Sequence, residues 1–270
     1  MKKIFAVLII LFLFFSVSAA PVYSAEKNEK KSGITSAKNL YRELKQRFSK
    51  DRAYYKNLSD EGFANFREVS TTGIGRGILY RSSSPINDWG NRHLTADNLS
   101  RLAKIKTFVN LVDDYKKMTG YKNFSQTYYS TQKAIALNFD LKFMSKDFQN
   151  KLARAVKFIA DNEPPYLIHC NLGKDRTGLV CAVIEAVTGA SSEEIAEDFM
   201  LSFYNYFSVM PGSKEYEFIV SHEIRSFLAS MLGVKNIDDV NLYLAAEKYL
   251  LKIGVASEDI EKVRKKLGGE

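Results

Sequence analysis

The chain is poor in the residues that build disulfide scaffolds and metal sites. It has two cysteines and three histidines among 270 residues. Two cysteines are too few for the disulfide framework of a small secreted domain, and we expect Cys181 to be a small core residue inside a helix. The histidines have no ligand-like spacing, so we expect no metal and no other cofactor.

Several sequence patterns are also absent. There are no repeats or low-complexity tracts, and no nucleic-acid-binding motif accompanies the net charge of +8. A basic surface suits an anionic substrate, although anionic lipid or nucleic acid could use it equally. Without a motif we expect no nucleic-acid partner.

The N-terminus has the pattern of a secretory signal peptide. A basic start is followed by an apolar stretch over residues 4–17 and by small residues up to Ala25. We therefore expect a signal peptide over residues 1–25 that takes the protein out of the cytoplasm. The alternative is an uncleaved anchor, since the apolar stretch approaches the length of about 20 residues that spans a bilayer.

The remaining chain predicts one α/β domain. Residues 26–35 are charged and poor in apolar side chains, so we expect a flexible linker there. Residues 36–270 are predicted to form a single domain, with strands and helices alternating first and helices alone over about 191–268. This order is typical of a central, mostly parallel sheet flanked by helices, with a helical C-terminal part.

Local signals predict the elements of this domain. We expect helices over 36–48, 95–103 and 145–160, a strand–turn–strand unit over 63–83, and buried strands over 107–112, 133–137 and 165–169. Gly73, Gly75 and Gly77 belong to the turn of that unit. They indicate a hairpin loop rather than a nucleotide site, because no helix opens after them.

The most informative segment is residues 169–178, which read His-Cys-Asn-Leu-Gly-Lys-Asp-Arg-Thr-Gly. Cys170 and Arg176 are six positions apart and enclose a short loop with Gly173 at its middle. A short apolar strand precedes the loop and a mostly apolar helix follows it. The loop is not a Walker A site, because Asp175 stands where that motif requires Ser or Thr.

A loop of this composition can surround one tetrahedral oxyanion. Its successive backbone N–H groups form an anion nest, and the guanidinium fork of Arg176 holds two anion oxygens at once. The helix expected to start near Thr177 adds the positive end of its dipole. These groups favour the thiolate form of Cys170, which would act as a nucleophile at the base of the loop.

The segment resembles the signature of the cysteine-dependent protein tyrosine phosphatases. In its full form it is similar to the bacterial tyrosine or dual-specificity branch, several members of which also accept phosphoinositides. Residues 65–67 and 77–82 resemble the N-terminal "NFR … G-x-L-Y-R-S" pattern of that branch, and residues 243–267 resemble its closing helical hairpin. The resemblance covers residues 60–268 and implies the phosphatase fold and hydrolysis through a cysteinyl-phosphate.

The resemblance also implies roles for the loop residues. Cys170 is the nucleophile, Arg176 holds the phosphoryl oxygens, and His169 orients the cysteine. Thr177 is placed to bond the thiolate, although it could be a helix cap instead. The substrate-binding segment consists of Asn171, Leu172, Gly173, Lys174 and Asp175.

Two members of that segment have open alternatives. Lys174 could be a second cation at the mouth of the pocket, which would suit a substrate with several negative charges. Lys174 and Asp175 could also simply face solvent.

The general acid has several candidates. The leaving group needs a proton, and an aspartic acid on a nearby loop normally supplies it. Asp113 and Asp114 follow one predicted strand, and Asp140 follows the next. In the classical phosphatases the acid lies on a loop like the second, whereas in the bacterial branch an aspartate falls in the first, in an Asp-Leu-Arg motif that reads Asn-Leu-Val at 110–112. We favour Asp140, then Asp114, and Asp175 stays a further possibility.

Other functions use similar parts. Phosphoinositide or inositol-polyphosphate hydrolysis, as in a phytase, is the first alternative to a phosphorylated protein substrate. A non-catalytic phosphate-binding module is the second. Arsenate reductase and sulfurtransferase chemistry is disfavoured because those enzymes lack the Lys-Asp-Arg-Thr-Gly string. Membrane contact is expected only through an uncleaved signal segment, and the sequence leaves the oligomeric state open.

Overall fold

The computed structural model describes residues 29–269, with side chains from residue 37 onward. The predicted signal peptide over residues 1–25 lies outside the described residues. The chain divides into two units, of which the first ends at Phe48 and the second comprises Ser49–Glu270. The second unit therefore starts later than residue 36, where we placed the start of the phosphatase domain.

The described part of the first unit is helix α1 (Glu29–Gln46). It begins inside the stretch 26–35, for which we predicted a flexible linker. The residue types there are compatible with a helix as well. Lys and Glu give a segment the composition of a linker, but they are also good helix formers.

The second unit is built on five strands: β1 (Arg67–Glu68), β2 (Leu79–Ser82), β3 (Thr107–Asn110), β4 (Lys133–Ala136) and β5 (Tyr166–His169). Their order in the sheet is β1-β2-β5-β3-β4. The short edge strand β1 is antiparallel to β2, and the other neighbours are parallel. The predicted mostly parallel sheet is confirmed, as is the hairpin between β1 and β2.

The helices of this unit are α2 (Asp60–Ala64), α3 (His93–Leu102), α4 (Tyr115–Thr119), α5 (Lys146–Asp161), α6 (Asp175–Thr188), α7 (Ser192–Phe207), α8 (Lys214–Ile219), α9 (Ser226–Leu232), α10 (Leu242–Lys252) and α11 (Ser257–Gly268). A π-helical turn joins α8 to α9. The predicted closing hairpin is confirmed, because α10 and α11 are separated by a turn in which Gly254 has a φ of 99°.

Local signals in the sequence explain several helix ends. Ser145 caps α5 as predicted, and its hydroxyl accepts a hydrogen bond from the Phe148 amide at 3.1 Å. Ser191 and Glu194 form a capping box at the start of α7. Gly189 ends α6 with a φ of 113°, a conformation that glycine adopts without steric cost.

The sheet brings one end of its strands together at a single edge. In the parallel register Ser82 and Asn110 both lie level with His169, the last residue of β5. The segments that follow β2, β3, β4 and β5 therefore meet at the carboxyl edge of the sheet, where α/β folds place their sites. Helix α6 packs behind this edge and is buried over residues 177–187.

Two searches of the described residues gave negative results. None of their helices combines the length and the apolar character needed to span a bilayer. No group of three His, Cys, Asp or Glu side chains among them is arranged to hold a metal ion.

Candidate active site

The signature segment forms a loop between β5 and α6. Strand β5 ends at His169, and α6 begins at Asp175, two residues earlier than we expected. Arg176 and Thr177 therefore lie in the first turn of the helix, with their backbone N–H groups at its positive end. Cys170 is a free cysteine, 3% exposed, at the start of the loop.

The second cysteine has a different environment. Cys181 is also free and lies inside α6, as predicted. Burial raises the pKa of its thiol well above the ordinary range. Cys181 therefore stays protonated and is inert as a nucleophile.

The first two carbonyl groups of the loop point away from its centre. The Asn171 carbonyl accepts a hydrogen bond from the Ser84 amide at 3.2 Å. The Leu172 carbonyl accepts two, from the Asn65 side-chain amide at 3.0 Å and from the Tyr206 hydroxyl at 2.6 Å. These donors come from distant parts of the chain and fix the outer face of the loop.

The next two carbonyl groups are held by one buried side chain. Arg81 Nη2 donates to the carbonyls of Gly173 at 3.0 Å and Lys174 at 3.3 Å. Because the carbonyls turn outward, the N–H groups turn inward, and none of those of residues 171–177 donates a hydrogen bond within the described structure. This is the backbone orientation that the predicted anion nest requires.

Gly173 allows the loop to approach β2 closely. Its φ is 67°, and a Cβ atom at this position would overlap the carbonyl oxygen of Ser82. A residue with a side chain would have to move the loop away from the strand. This is the physical reason for glycine in the middle of the signature.

Arg176 links the loop to the segment that follows β4. Its Nη1 donates to the carbonyl of Phe139 at 3.3 Å, directly before Asp140. Thr177 is fully buried, and its hydroxyl has no hydrogen-bond partner within the described residues. The alternative that Thr177 caps the helix was wrong, because Lys174 occupies the N-cap position.

His169 is buried at the base of the loop. Its Nε2 lies 3.3 Å from the Tyr129 hydroxyl, and the two rings meet edge to face. Burial lowers the pKa of His169 to about 4, although the nearby Asp113 carboxylate opposes this shift. The imidazole is therefore neutral at pH 7, and its role in orienting Cys170 stays a prediction.

Lys174 does not face solvent. Its ammonium pairs with the Asp175 carboxylate and lies 4.3 Å from the centre of the Phe203 ring. The side chain is 9% exposed, so the alternative that Lys174 is a solvated surface residue was wrong. Its positive charge is already balanced by Asp175, which reduces what Lys174 offers to a polyphosphorylated ring.

The candidate acid Asp113 is enclosed by partners. One carboxylate oxygen accepts from the Tyr121 hydroxyl at 2.8 Å and pairs with the Lys117 ammonium at 2.9 Å. The other accepts from the Asn110 side-chain amide at 3.1 Å. Asp113 is completely buried, so its geometry is that of a structural carboxylate.

Two of the other candidates, Asp114 and Asp140, are exposed, whereas Asp175 is half-buried and paired with Lys174. Asp114 caps α4 by accepting the Lys117 amide at 2.8 Å. Asp140 accepts a single bond, from the Lys142 amide at 2.9 Å, and directly follows the residue that holds Arg176. Asp140 therefore combines solvent access with proximity in sequence to a contact of the loop.

Several residues around the loop escaped the sequence analysis. Asn65 and Arg81 lie in the two N-terminal segments that carried the resemblance, but the pattern gave them no role. Asp198 and Tyr206 lie on α7, where the helical pattern showed no sign of a polar contact with the loop. The Asn87 side chain, which donates to Asn171 Oδ1 at 2.9 Å, had no signal at all.

One comparison with known proteins identifies a family. A family model described as the tyrosine phosphatase family matches residues 57–269. No curated protein matches the chain. The core catalytic domain of the PP-IP phosphatase SIW14 from S. cerevisiae, solved with citrate, is 22% identical, with 62% of this chain and 91% of that chain covered and a TM-score of 0.38.

A second solved structure is TpbA from P. aeruginosa in complex with pTyr. It is 17% identical, with 58% of this chain and 93% of that chain covered and a TM-score of 0.35. Because the family model spans most of the chain and includes both the loop and its supporting residues, the chain belongs to the tyrosine phosphatase family and is a cysteine-dependent phosphatase.

Proposed function

We propose that this phosphatase hydrolyses phosphotyrosine in proteins, in two steps that use Cys170, Arg176 and Asp140. One observation carries the proposal: the carbonyls of residues 171–174 accept hydrogen bonds from donors outside the loop, and the N–H groups of residues 171–177 donate none within the described structure. This arrangement stabilises the equatorial oxygens of a phosphoryl group as negative charge develops on them.

The first step transfers the phosphoryl group to sulfur. The Cys170 thiolate attacks phosphorus in line with the leaving oxygen, so an S–P bond forms as the P–O bond breaks. The Arg176 guanidinium and the loop N–H groups hold the three remaining oxygens. Asp140, in its acid form, donates its proton to the departing tyrosine oxygen.

The second step releases phosphate. Water attacks the cysteinyl-phosphate, an O–P bond forms, and the S–P bond breaks to return the thiolate. Asp140, now a carboxylate, accepts the proton of that water. The buried Thr177 hydroxyl has no other partner within the described residues, and it donates to the sulfur as the sulfur regains its charge.

The choice of phosphotyrosine over a polyphosphorylated ring rests on Lys174. A ring with several phosphates gains from free cations beside the reacting group. Lys174 is instead paired with Asp175 and packed on Phe203. A single phosphate, held by Arg176 and the loop, is therefore the substrate group that the charges fit.

The test is phosphate release from four substrates under reducing conditions without added metal. They are a phosphotyrosine peptide, a phosphoserine peptide, a phosphoinositide and phytate, each with the native chain and with Cys170→Ser. We expect release to be fastest from the phosphotyrosine peptide and absent in the variant. Faster release from phosphoinositide or phytate would contradict the proposal of a phosphotyrosine substrate and make that compound the substrate class. Phosphate binding without release by the native chain would favour a binding module.

We also propose that the protein acts outside a bacterial cytoplasm, after export by residues 1–25. The support is the order of a basic start, an apolar stretch and small residues in that segment. Fractionation of the expressing cell with an epitope tag after Glu270 tests this. A tagged protein shortened by about 25 residues outside the cytoplasm supports the proposal, and a full-length protein in the cytoplasm contradicts it.

A further inference from the structure

A buried cluster of charged side chains lies behind the loop. Asp198, on α7, accepts a hydrogen bond from Arg67 Nε at 2.8 Å and pairs through its other oxygen with Arg81. Burial opposes the ionisation of Asp198, but the two arginine charges outweigh it and lower the pKa of the carboxyl. Asp198 is therefore a buried carboxylate shared by two guanidinium groups.

Both arginines are connected to the backbone of the loop. Arg81 donates directly to the carbonyls of Gly173 and Lys174. The connection through Arg67 has one more step: Arg67 Nη1 donates to Asn65 Oδ1 at 2.8 Å, and Asn65 Nδ2 donates to the Leu172 carbonyl. Three consecutive carbonyls of the loop, those of residues 172–174, are thus oriented by side chains that depend on one carboxylate.

Asp198 supplies the negative charge of this cluster. The other buried carboxyl of the cluster is Glu185, on α6. Burial, together with the charge of Asp198, raises the pKa of Glu185 well above its ordinary value. Glu185 is therefore a poorer counter-charge for the two arginines than Asp198, whose pKa is lowered.

We infer that Asp198 is a positioning residue, which keeps the loop carbonyls outward and the loop N–H groups inward by holding Arg81 and Arg67. Loss of its charge would leave two buried guanidinium groups without a counter-charge, a state that proteins relieve by rearrangement. The arginines would then turn toward other acceptors, and the loop would lose the donors that orient it. This inference rests on the proposed function of residues 170–177 as an oxyanion site.

The test compares Asp198→Asn with a matched control in the native chain. The control is Asp259→Asn, which removes a buried carboxylate on α11 that contacts Lys157 and Lys262. Two quantities are measured in folded protein: inhibition by orthovanadate, which mimics the phosphoryl group, and hydrogen exchange, at saturating orthovanadate, of a peptide covering residues 170–178.

We expect Asp198→Asn to weaken vanadate inhibition at least about tenfold, the effect of losing one charge-assisted hydrogen bond, and to speed exchange in the loop peptide. Asp259→Asn should change neither quantity. Arg81→Lys is the second variant: it keeps the charges balanced but loses the fork that reaches Asp198 and two carbonyls together. Arg81→Lys should also weaken vanadate inhibition and speed exchange in the loop peptide. If Asp198→Asn does not fold, the result for Arg81→Lys tests the inference.

The outcomes separate this inference from the proposed function. If the native chain is not inhibited by vanadate, the oxyanion site itself is refuted. If the native chain is inhibited, and Asp198→Asn and Arg81→Lys are inhibited as strongly as Asp259→Asn, the inference is wrong while the proposed function stands.

Discussion

The segments that follow β3 and β4 lie at the same edge of the sheet, but their carboxylates differ in burial and in hydrogen-bond partners. After β3, Asp113 is buried and receives hydrogen bonds or ion pairs from Asn110, Tyr121 and Lys117. After β4, Asp140 is exposed and accepts one backbone hydrogen bond. Asp113 and Asp140 were both candidate general acids from the sequence, and only their surroundings in the structure distinguish them.

This difference separates a structural carboxylate from a catalytic candidate. A general acid must gain and lose a proton during each turnover, so it needs access to the leaving group and to water. The partners of Asp113 hold its carboxylate in a fixed position away from solvent. Asp140 has the access, and its neighbour Phe139 is held by Arg176.

The strongest test of this comparison is Asp140→Asn. We expect kcat with a phosphotyrosine peptide to fall by about 10²–10⁴, the usual contribution of general acid catalysis. The loss should be smaller with p-nitrophenyl phosphate, because its leaving group needs less protonation. Asp161→Asn, an exposed acid near the end of α5, is the control and should keep full activity. An Asp140→Asn variant as active as this control would remove Asp140 from the mechanism.

Asp113→Asn should act on stability instead. The change weakens the bonds from Tyr121 and Lys117, and we expect the free energy of unfolding to fall by about 1–3 kcal/mol. Urea denaturation measures this fall, and kcat of the folded protein should stay within about tenfold of the native value. A large loss of kcat without a loss of stability would reverse the roles of Asp113 and Asp140.

The pH dependence of stability tests whether His169 is buried and neutral. The pKa of His169 is lowered to about 4 in the folded state, below its ordinary value near 6.5. The contribution of neutral His169 to the free energy of unfolding is therefore fully present above pH 6.5 and is lost as the pH falls toward 4. Between pH 7.5 and 5 the native chain should lose about 2 kcal/mol more than His169→Gln. Equal losses in urea denaturation at the two pH values would show that His169 is not neutral and buried.

The smallest effect is expected at Asp114. Its side chain caps α4, so Asp114→Ala should lower the free energy of unfolding by about 1 kcal/mol, and Asp114→Asn, a comparable cap, by much less. Both variants should keep native kcat. A selective loss of kcat in Asp114→Asn would restore Asp114 as a candidate acid.

The features that the sequence predicted well depend on neighbouring residues. Ser145 caps a helix by accepting from the amide three residues later, Gly189 ends the helix directly before it, and residues 169–178 contain the whole loop. Such signals are complete within a short stretch, so periodicity and cap residues reveal them. The sequence analysis started the first helix at residue 36, whereas α1 begins at Glu29, because one composition suits both a linker and a polar helix.

The features that the sequence did not predict depend on distant residues. Arg81 and Asp198 are 117 positions apart, and Asn65 reaches the Leu172 carbonyl across 107 positions. No local pattern connects them, because the contact exists only once α7 has packed behind the loop. The choice between Asp113 and Asp140 has the same origin, since burial is decided by what packs around each segment.

The most direct test of the central claim is a rapid acid quench of the native chain mixed with phosphotyrosine peptide, followed by mass spectrometry of the peptide that contains Cys170. We expect a phosphoryl group on Cys170 within the first turnover, at no more than one per chain. Asp140→Asn should still show it, at a slower rate of formation, and Cys170→Ser should show none. Phosphate release by the native chain with no phosphoryl group on Cys170, or sustained release by Cys170→Ser, would contradict the mechanism.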